Sequence, residues 1–243
     1  MDKLIAIVLA AGAGKRMNSK VAKQYMELQE KPVLTYALQA FSVSESVSEI
    51  VLVVGAGEEE FVRKEIVEKY GFSKVAIITE GGSERYFSVW NGLKAAKAQR
   101  LLTEKTYIAI HDGARPLVTE QIIRDTYLAA KEYKACVAAV PVKDTIKIGD
   151  EQGFAVSTPK RDLVWTVQTP QVFEGELIYE AYQKLVEQLS ELTAQGVVIT
   201  DDAMVVEHMT GEKVKLVKSS YENIKITTPE DLILAQGFLD KRG

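Results

Sequence analysis

Apolar positions follow two alternating patterns along the chain. Leu4–Leu9 is an unbroken apolar run rich in β-branched residues, which predicts a strand covered on both faces. Val33, Leu34, Ala37, Leu38 and Phe41 then recur at helical spacing, with Pro32 where a first helical turn tolerates it. Ile50–Val54 predicts a second buried strand, closed by Gly55-Ala56-Gly57. Phe61, Val62, Ile66 and Tyr70 mark a helix stopped by Gly71. Further strands are expected within Lys74–Thr79, Tyr107–Ile110 and Cys136–Val140, with a helix carrying Val89, Leu93 and Ala96 after the first of them. This alternation predicts a Rossmann-like, doubly wound, mostly parallel α/β sheet.

After Val140 the pattern changes. Val142–Val156 alternates irregularly around a Gly149-Asp150 turn, which predicts a β-hairpin with little core of its own. Such an arm would lie over the active site or against a partner subunit, with Lys160-Arg161 at its return. Thr169-Pro170-Gln171 interrupts the chain before a long helix, where Leu177, Ile178, Ala181, Tyr182, Leu185, Val186 and Leu189 form a stripe read as core. Thr200-Asp201-Asp202 predicts a helix start: Thr200 and one aspartate serve the helix end, and the second carboxylate is left for a ligand. A late strand is expected over Lys213–Val217, and Thr227-Thr228-Pro229-Glu230-Asp231 opens the last helix. With no internal repeat or linker, residues 1–243 are expected to form one domain, with the β-arm at about 142–162.

Composition narrows the function. Of 243 residues, 47% are hydrophobic and 26% charged, as in ordinary globular proteins. A net charge of -4 argues against broad nucleic-acid binding, so any phosphate ligand must be held by local cations. A single cysteine, Cys136, forms no disulfide within the chain and fits a reducing, cytoplasmic setting. One cysteine with His111 and His208 does not make a zinc site. The apolar start followed by Ala11-Gly12-Ala13 superficially resembles a signal peptide, but Asp2 spoils the charged opening and the run is short. No stretch approaches the ~18 apolar residues of a membrane span.

The chemistry concentrates at predicted strand ends. Ala10-Ala11-Gly12-Ala13-Gly14 follows the first strand, and Lys15, Arg16, Lys20 and Lys23 follow within a dozen residues. Small residues let a backbone approach a ligand, and the cations suit a phosphate chain. A tight turn with a solvated basic flank would use the same residues. A dinucleotide turn would need glycine where Met17 stands and an acidic residue ending the second strand, and the P-loop spacing is absent. A nucleotide cradle of another kind is the best functional reading. Gly81-Gly82-Ser83-Glu84-Arg85 should face that loop, with Ser83 or Ser88 available as a helix cap. Asp112 in His111-Asp112-Gly113-Ala114-Arg115-Pro116 is the best Mg²⁺ ligand in the chain, or else a residue that bonds its own turn. Arg115 is either a phosphate fork or the ion-pair partner of that aspartate.

In order, these motifs resemble one family. LAAGAGKRM at Leu9–Met17, AKQY at Ala22–Tyr25, GGSER at Gly81–Arg85 and HDGARP at His111–Pro116 carry the likeness, joined by PVKDTIK at Pro141–Lys147, TPQ at Thr169–Gln171, TDDA at Thr200–Ala203 and NIKITTPEDL at Asn223–Leu232. The chain resembles the 2-C-methyl-D-erythritol 4-phosphate cytidylyltransferases of the non-mevalonate isoprenoid pathway over nearly its whole length. The resemblance implies that CTP and methylerythritol phosphate give the CDP-alcohol and pyrophosphate, with Mg²⁺ as cofactor, in a homodimer whose arm reaches the neighbouring site. Carried over by motif, Ala10, Ala11, Gly12 and Gly14 line the nucleotide, and Gly82, Ser83 and Ser88 lie near the cytosine and ribose. Arg16 and Lys23 stabilise the transition state, Asp112 holds the metal and Arg115 supports it. Thr145, Arg161, Asp201 and Lys225 contact or position the sugar phosphate. Gly113 stands for a more usual alanine, Ala22 for a usual proline and Ser83 for a frequent aspartate. A phosphate monoester is largely dianionic at neutral pH, its second pKa being about 6, so the chemistry requires no general base. Two other readings use the same motifs: a cytidylyltransferase for another polyol phosphate such as ribitol 5-phosphate, and a nucleotide-binding regulatory protein without catalysis.

Overall fold

The computed structural model describes residues 2–12 and 21–242. Seven strands form the main sheet: β1 (Lys3–Ala10), β2 (Val47–Val54), β3 (Val75–Glu80), β4 (Thr106–Asp112), β5 (Ala135–Pro141), β6 (Trp165–Glu174) and β7 (Lys215–Lys218), in spatial order β7-β5-β6-β4-β1-β2-β3. Every neighbouring pair is parallel except those made by β6, which runs antiparallel between β4 and β5.

Helices cover both faces because side chains alternate along each strand. From β1, Leu4, Ala6 and Val8 pack with Leu34, Leu38 and Phe41 of α1 (Val33–Val43), with a short helix α2 starting at Glu59–Val62, and with Ile122, Ile123 and Tyr127 of α4 (Glu120–Tyr133). Ile5 and Ile7 face the other layer. They meet Val89 and Leu93 of α3 (Arg85–Ala98), Ile178 and Leu185 of α5 (Gly175–Ala194), and Val205 and Val206 of α6 (Asp202–Thr210). Leu4 through Val8 are fully buried. Each of the Leu, Ile and Val side chains contributes roughly 1.5–3 kcal/mol by leaving water, which explains why an apolar run without polar breaks sits at the sheet centre. A last helix, α7 (Pro229–Asp240), packs on Leu28, Val33 and Leu117.

The strand β6 departs from the expectation. Pro170 lies inside it, and proline in an apolar run reads as a strand breaker. Here the Thr169–Pro170 peptide is cis and the pairing with β5 shifts register between Val167 and Gln171. Ladder pairing resumes at Gln171, opposite Ile110 of β4. Because β6 runs against its neighbours, its Gln168 and Thr169 arrive beside the carboxyl end of β4.

The expected hairpin is present but smaller. Ile148–Gly149 pairs antiparallel with Ala155–Ser157, and Asp150 accepts hydrogen bonds from the backbone N–H groups of Gln152 and Phe154 in the turn. Among the described residues, no helix is long and apolar enough to cross a membrane.

Candidate active site

The carboxyl ends of β1, β3 and β4 deliver three loops to one edge. Ala10, Ala11 and Gly12 leave β1, and Gly81 and Gly82 leave β3. A Cβ on Gly81 would stand 2.3 Å from the Ala11 Cβ, so the two loops meet only because residue 81 has no side chain. From within α3, the Ser88 hydroxyl accepts the Gly82 N–H at 3.0 Å and donates to the Glu84 carbonyl at 3.3 Å. Neither Ser83 nor Ser88 is the N-cap of α3; that position is Glu84, whose side chain makes no cap bond. Ala10, Ala11, Gly12, Lys23, Gly82, Ser83 and Ser88 line a pocket of about 360 Å³, together with Asp112 and Lys225. Gly14 and Arg16 lie outside the described residues.

Asp112 ends β4 opposite Leu9 of β1. The next residue folds back, its N–H donating to the Leu9 carbonyl at 2.8 Å. A Cβ on Gly113 would lie 2.9 Å from that oxygen and 2.8 Å from Leu34 Cδ1, so the close approach of this turn to β1 suits a residue without a side chain. The Asp112 N–H donates to Thr169 Oγ1 at 3.1 Å, and Thr169 Oγ1 lies 3.0 Å from His111 Nδ1. The hydroxyl therefore donates to Nδ1, and the proton of the neutral ring sits on Nε2, aimed at the Arg115 carbonyl at 3.3 Å. Burial pushes the His111 pKa down to about 4, so the ring is neutral near pH 7.

Three cations surround the Asp112 carboxylate. Lys225 Nζ approaches Oδ2 at 2.7 Å, Arg85 Nε approaches Oδ1 at 3.3 Å, and Arg115 Nε stands 3.8 Å from Oδ2. Burial alone would raise the Asp112 pKa. The charges of Arg85, Lys225 and Arg115 outweigh it and hold the carboxyl well below the usual range. Arg115 is thus an ion-pair neighbour of Asp112, and its Nη1 donates to the Asn223 carbonyl at 2.8 Å. Lys225 is held by its chain neighbours: the Ile226 N–H donates to the Ala114 carbonyl, and Asp231, in the capping box that opens α7, accepts from Thr227 and Thr228.

Arg85 gives the site a tie that the sequence did not reveal. Its Nη1 and Nη2 donate to the two oxygens of Asp202 at 2.8 and 2.7 Å, across 117 residues of sequence. Asp202 is fully buried and also accepts the Tyr182 hydroxyl. Tyr182 is core, as its stripe predicts, but its phenol end serves this carboxylate. The helix-start expectation at Thr200-Asp201-Asp202 is corrected in two ways. Asp201 caps α6, accepting from Met204 N at 3.0 Å, while Thr200 points at the Met204 sulfur. Asp202 is consumed by Arg85, and Asp201 Oδ2 accepts from Gln171 Nε2, so neither carboxylate is left uncommitted.

Beyond Asp112 the site continues. A pocket of about 340 Å³ is lined by Arg85, Asp112, Arg115, Gln168, Asp201 and Lys225. A third, of about 530 Å³, takes in Arg115, Lys143, Asp144, Tyr221, Asn223 and Lys225. Lys225 borders all three spaces. Thr145 and Arg161 are exposed and line none of these three pockets. Gln168, Thr169 and Asn223 are buried contributors that sequence reasoning missed: Asn223 Nδ2 donates to Gln168 Oε1 at 3.1 Å and to the Thr169 carbonyl at 2.9 Å, joining β6 to the segment that carries Lys225. Thr169 and Asn223 lie in the TPQ and NIK motifs, where Lys225 drew attention by its charge, while Gln168 directly precedes TPQ and carried no signal of its own.

Residues 4–241 match the family model described as 2-C-methyl-D-erythritol 4-phosphate cytidylyltransferase. A curated relative of that name from Alkaliphilus oremlandii is 49% identical over 242 residues, covering 100% of this chain and 97% of the relative. One from Lachnospira eligens is 50% identical over 234 residues, covering 96% and 98%. The crystal structure of 4-diphosphocytidyl-2C-methyl-D-erythritol synthase from Anaerococcus prevotii superposes with a TM-score of 0.80 at 35% identity, covering 98% of this chain and 96% of that one. With a family model matched over residues 4–241 and relatives of 49–50% identity along nearly their whole length, the chain belongs to the 2-C-methyl-D-erythritol 4-phosphate cytidylyltransferase family.

Proposed function

We propose that the protein transfers CMP from CTP to 2-C-methyl-D-erythritol 4-phosphate with release of pyrophosphate. One observation carries the reading: the pocket edged by small-residue loops and the neighbouring cation-edged pocket share Asp112 and the two cations paired with it, Lys225 and Arg85. A nucleotide on one side and a phosphorylated alcohol on the other would bring their reacting atoms together there. The acceptor phosphate is already an anionic nucleophile, so the work left to the protein is positioning and charge stabilisation.

In this reading Ala10, Ala11, Gly12 and Gly14 follow the triphosphate, while Gly82, Ser83 and Ser88 take the cytosine and ribose. Arg16 and Lys23 stabilise charge growing on the α-phosphate and the leaving pyrophosphate. Lys225 holds the acceptor phosphate for in-line attack, and Asp201 and Arg115 shape the space around it. Asp112 fits a Mg²⁺ site of a particular kind. Among the described residues no group of three or more His, Cys, Asp or Glu side chains could hold a metal. Mg²⁺ commonly rests on one or two carboxylates plus substrate phosphates, and Asp112 would supply the carboxylate in exchange for its contact with Lys225, which the arriving phosphates would take over. Bound there, the ion would neutralise phosphate oxygens.

Thr145 and Arg161 enter through assembly. Ile148, Phe154, Val156 and Leu163 are 52%, 68%, 62% and 75% exposed, an apolar set on and beside the arm. A homodimer that covers this arm would carry Thr145 and Arg161 to the partner's acceptor pocket. The lone buried cysteine supports a cytoplasmic setting.

The test is steady-state kinetics of Lys225→Ala. The KM for methylerythritol phosphate should rise well above any change in the KM for CTP. Equal effects on the two substrates would contradict the assignment of Lys225 to the acceptor side.

A further inference from the structure

The AKQY motif contributes more to the fold than the one lysine its charge advertises. Lys23–Tyr25 form a single 3-10 turn, and its three side chains take three directions. Lys23 lines the nucleotide pocket. Gln24 is 3% exposed, and its Nε2 donates to the Ala10 carbonyl at 2.6 Å. Ala10 is the last residue of β1, from which the small-residue loop departs. Gln24 therefore ties the far end of that segment back to its origin.

Tyr25 makes a second tie on the neighbouring strand end. Its hydroxyl donates to Glu58 Oε2 at 2.7 Å, and the same oxygen accepts the Gly55 N–H at 3.0 Å. Gly55 follows β2, whose last residue Val54 pairs with Ala10. A Cβ on Gly55 would lie 2.6 Å from that Glu58 oxygen, so a residue without a side chain admits the carboxylate. The Tyr25 ring stands edge-on to Phe61, with centroids 5.4 Å apart. Burial, then the Glu58 carboxylate, raise the Tyr25 pKa, which keeps the phenol a donor at all working pH values.

We propose that Gln24 and Tyr25 are positioning residues that clasp the Lys23 turn onto the ends of β1 and β2, fixing the Lys23 ammonium at the nucleotide pocket. The inference rests on the reading of Lys23 as a transition-state cation. A displacement of about 1 Å at such a group can cost on the order of 10²-fold in rate, so two short bonds to adjacent strand ends are a sufficient device.

A double-mutant cycle tests it by pyrophosphate release from CTP and methylerythritol phosphate. Gln24→Ala should lower kcat about ten-fold, equivalent to about 1.4 kcal/mol, with the KM for methylerythritol phosphate unchanged. In a Lys23→Ala background the same substitution should cost less than about two-fold, because a residue acting through Lys23 has nothing left to position. Tyr25→Phe keeps the ring contact and loses only the hydroxyl. It should lower kcat about three-fold, in line with one hydrogen bond, and should likewise lose its effect without Lys23. This second cycle serves where Gln24→Ala does not fold. Equal fold-losses in both backgrounds would overturn the clasp while leaving Lys23 in its role. Normal turnover of Lys23→Ala would overturn both.

Discussion

The Arg85–Asp202 pair offers a quantitative test of how the site is held. Asp202 is fully buried, and Arg85 meets both of its oxygens at 2.7–2.8 Å. Arg85→Met removes the fork and leaves the carboxylate with the Tyr182 hydroxyl as its remaining side-chain partner. Breaking a buried pair from one side costs about 3–5 kcal/mol, because the orphaned charge stays desolvated. In a chain of this size each kcal/mol moves the unfolding midpoint by about 2–4 °C, so the expected fall in Tm is on the order of 10 °C. The internal control is Lys64–Glu60, an ion pair of similar length at 2.9 Å whose side chains are 64% and 69% exposed. Lys64→Met should shift Tm by no more than about 2 °C, as for surface pairs generally. Adding Asp202→Asn to Arg85→Met should recover about half of the loss, since the amide keeps a partner for Tyr182 without a buried charge. Differential scanning calorimetry of the four proteins suffices. An Arg85→Met shift as small as that of Lys64→Met would refute the claim that this buried fork holds α3 to α6.

Other perturbations address other parts of the account. His111 is neutral when folded, with its pKa pushed down from about 6.5 to about 4. Between those values the unfolded chain binds a proton that the folded chain does not, so stability falls as pH is lowered through this window, by about 3 kcal/mol in all. Denaturant unfolding at a series of pH values should show that slope, and His111→Gln should flatten it. Asp112 acts at lower pH: its depressed pKa stabilises the fold above the unfolded carboxylate range and that contribution is lost on further acidification. Cys136 is fully buried with its thiol pushed up to about 12, so a thiol reagent should leave the native protein unlabelled and react only after denaturation. The proposed arm-mediated homodimer predicts that sedimentation velocity gives a dimer for the native chain and a monomer for Phe154→Asp with Leu163→Asp; a monomeric native chain, or an assembly unchanged by the substitutions, would contradict it.

How far the sequence foretold the molecule depends on where each signal lay. The parallel strands were legible because they are buried on both faces and their apolar runs are unbroken, as in Leu4–Leu9 and Ile50–Val54. The tight approaches at Gly81 and Gly113 were not singled out, because only the packed neighbours show what a side chain there would meet. The strand β6 was not legible, because Pro170 reads as a breaker in one dimension and only the neighbouring strands show that the ladder resumes beyond it. Arg85 was hidden for another reason. Its partners Asp112 and Asp202 are 27 and 117 positions away, and nothing in local periodicity couples such distances. Tyr182 sat in an apolar stripe and showed only its ring. Gln24 carries no charge, so a search for phosphate-binding cations passed over it.

The central claim is that the pocket at the β1 loop and the pocket beyond Asp112 jointly serve one cytidylyl transfer. The most direct measurement is Mg²⁺-dependent pyrophosphate release from CTP, with methylerythritol 4-phosphate and ribitol 5-phosphate offered in parallel. The account predicts release with the first acceptor, none with the second, and loss of the signal when the metal is chelated. Release with ribitol 5-phosphate alone, or CTP binding without turnover on either acceptor, would contradict it.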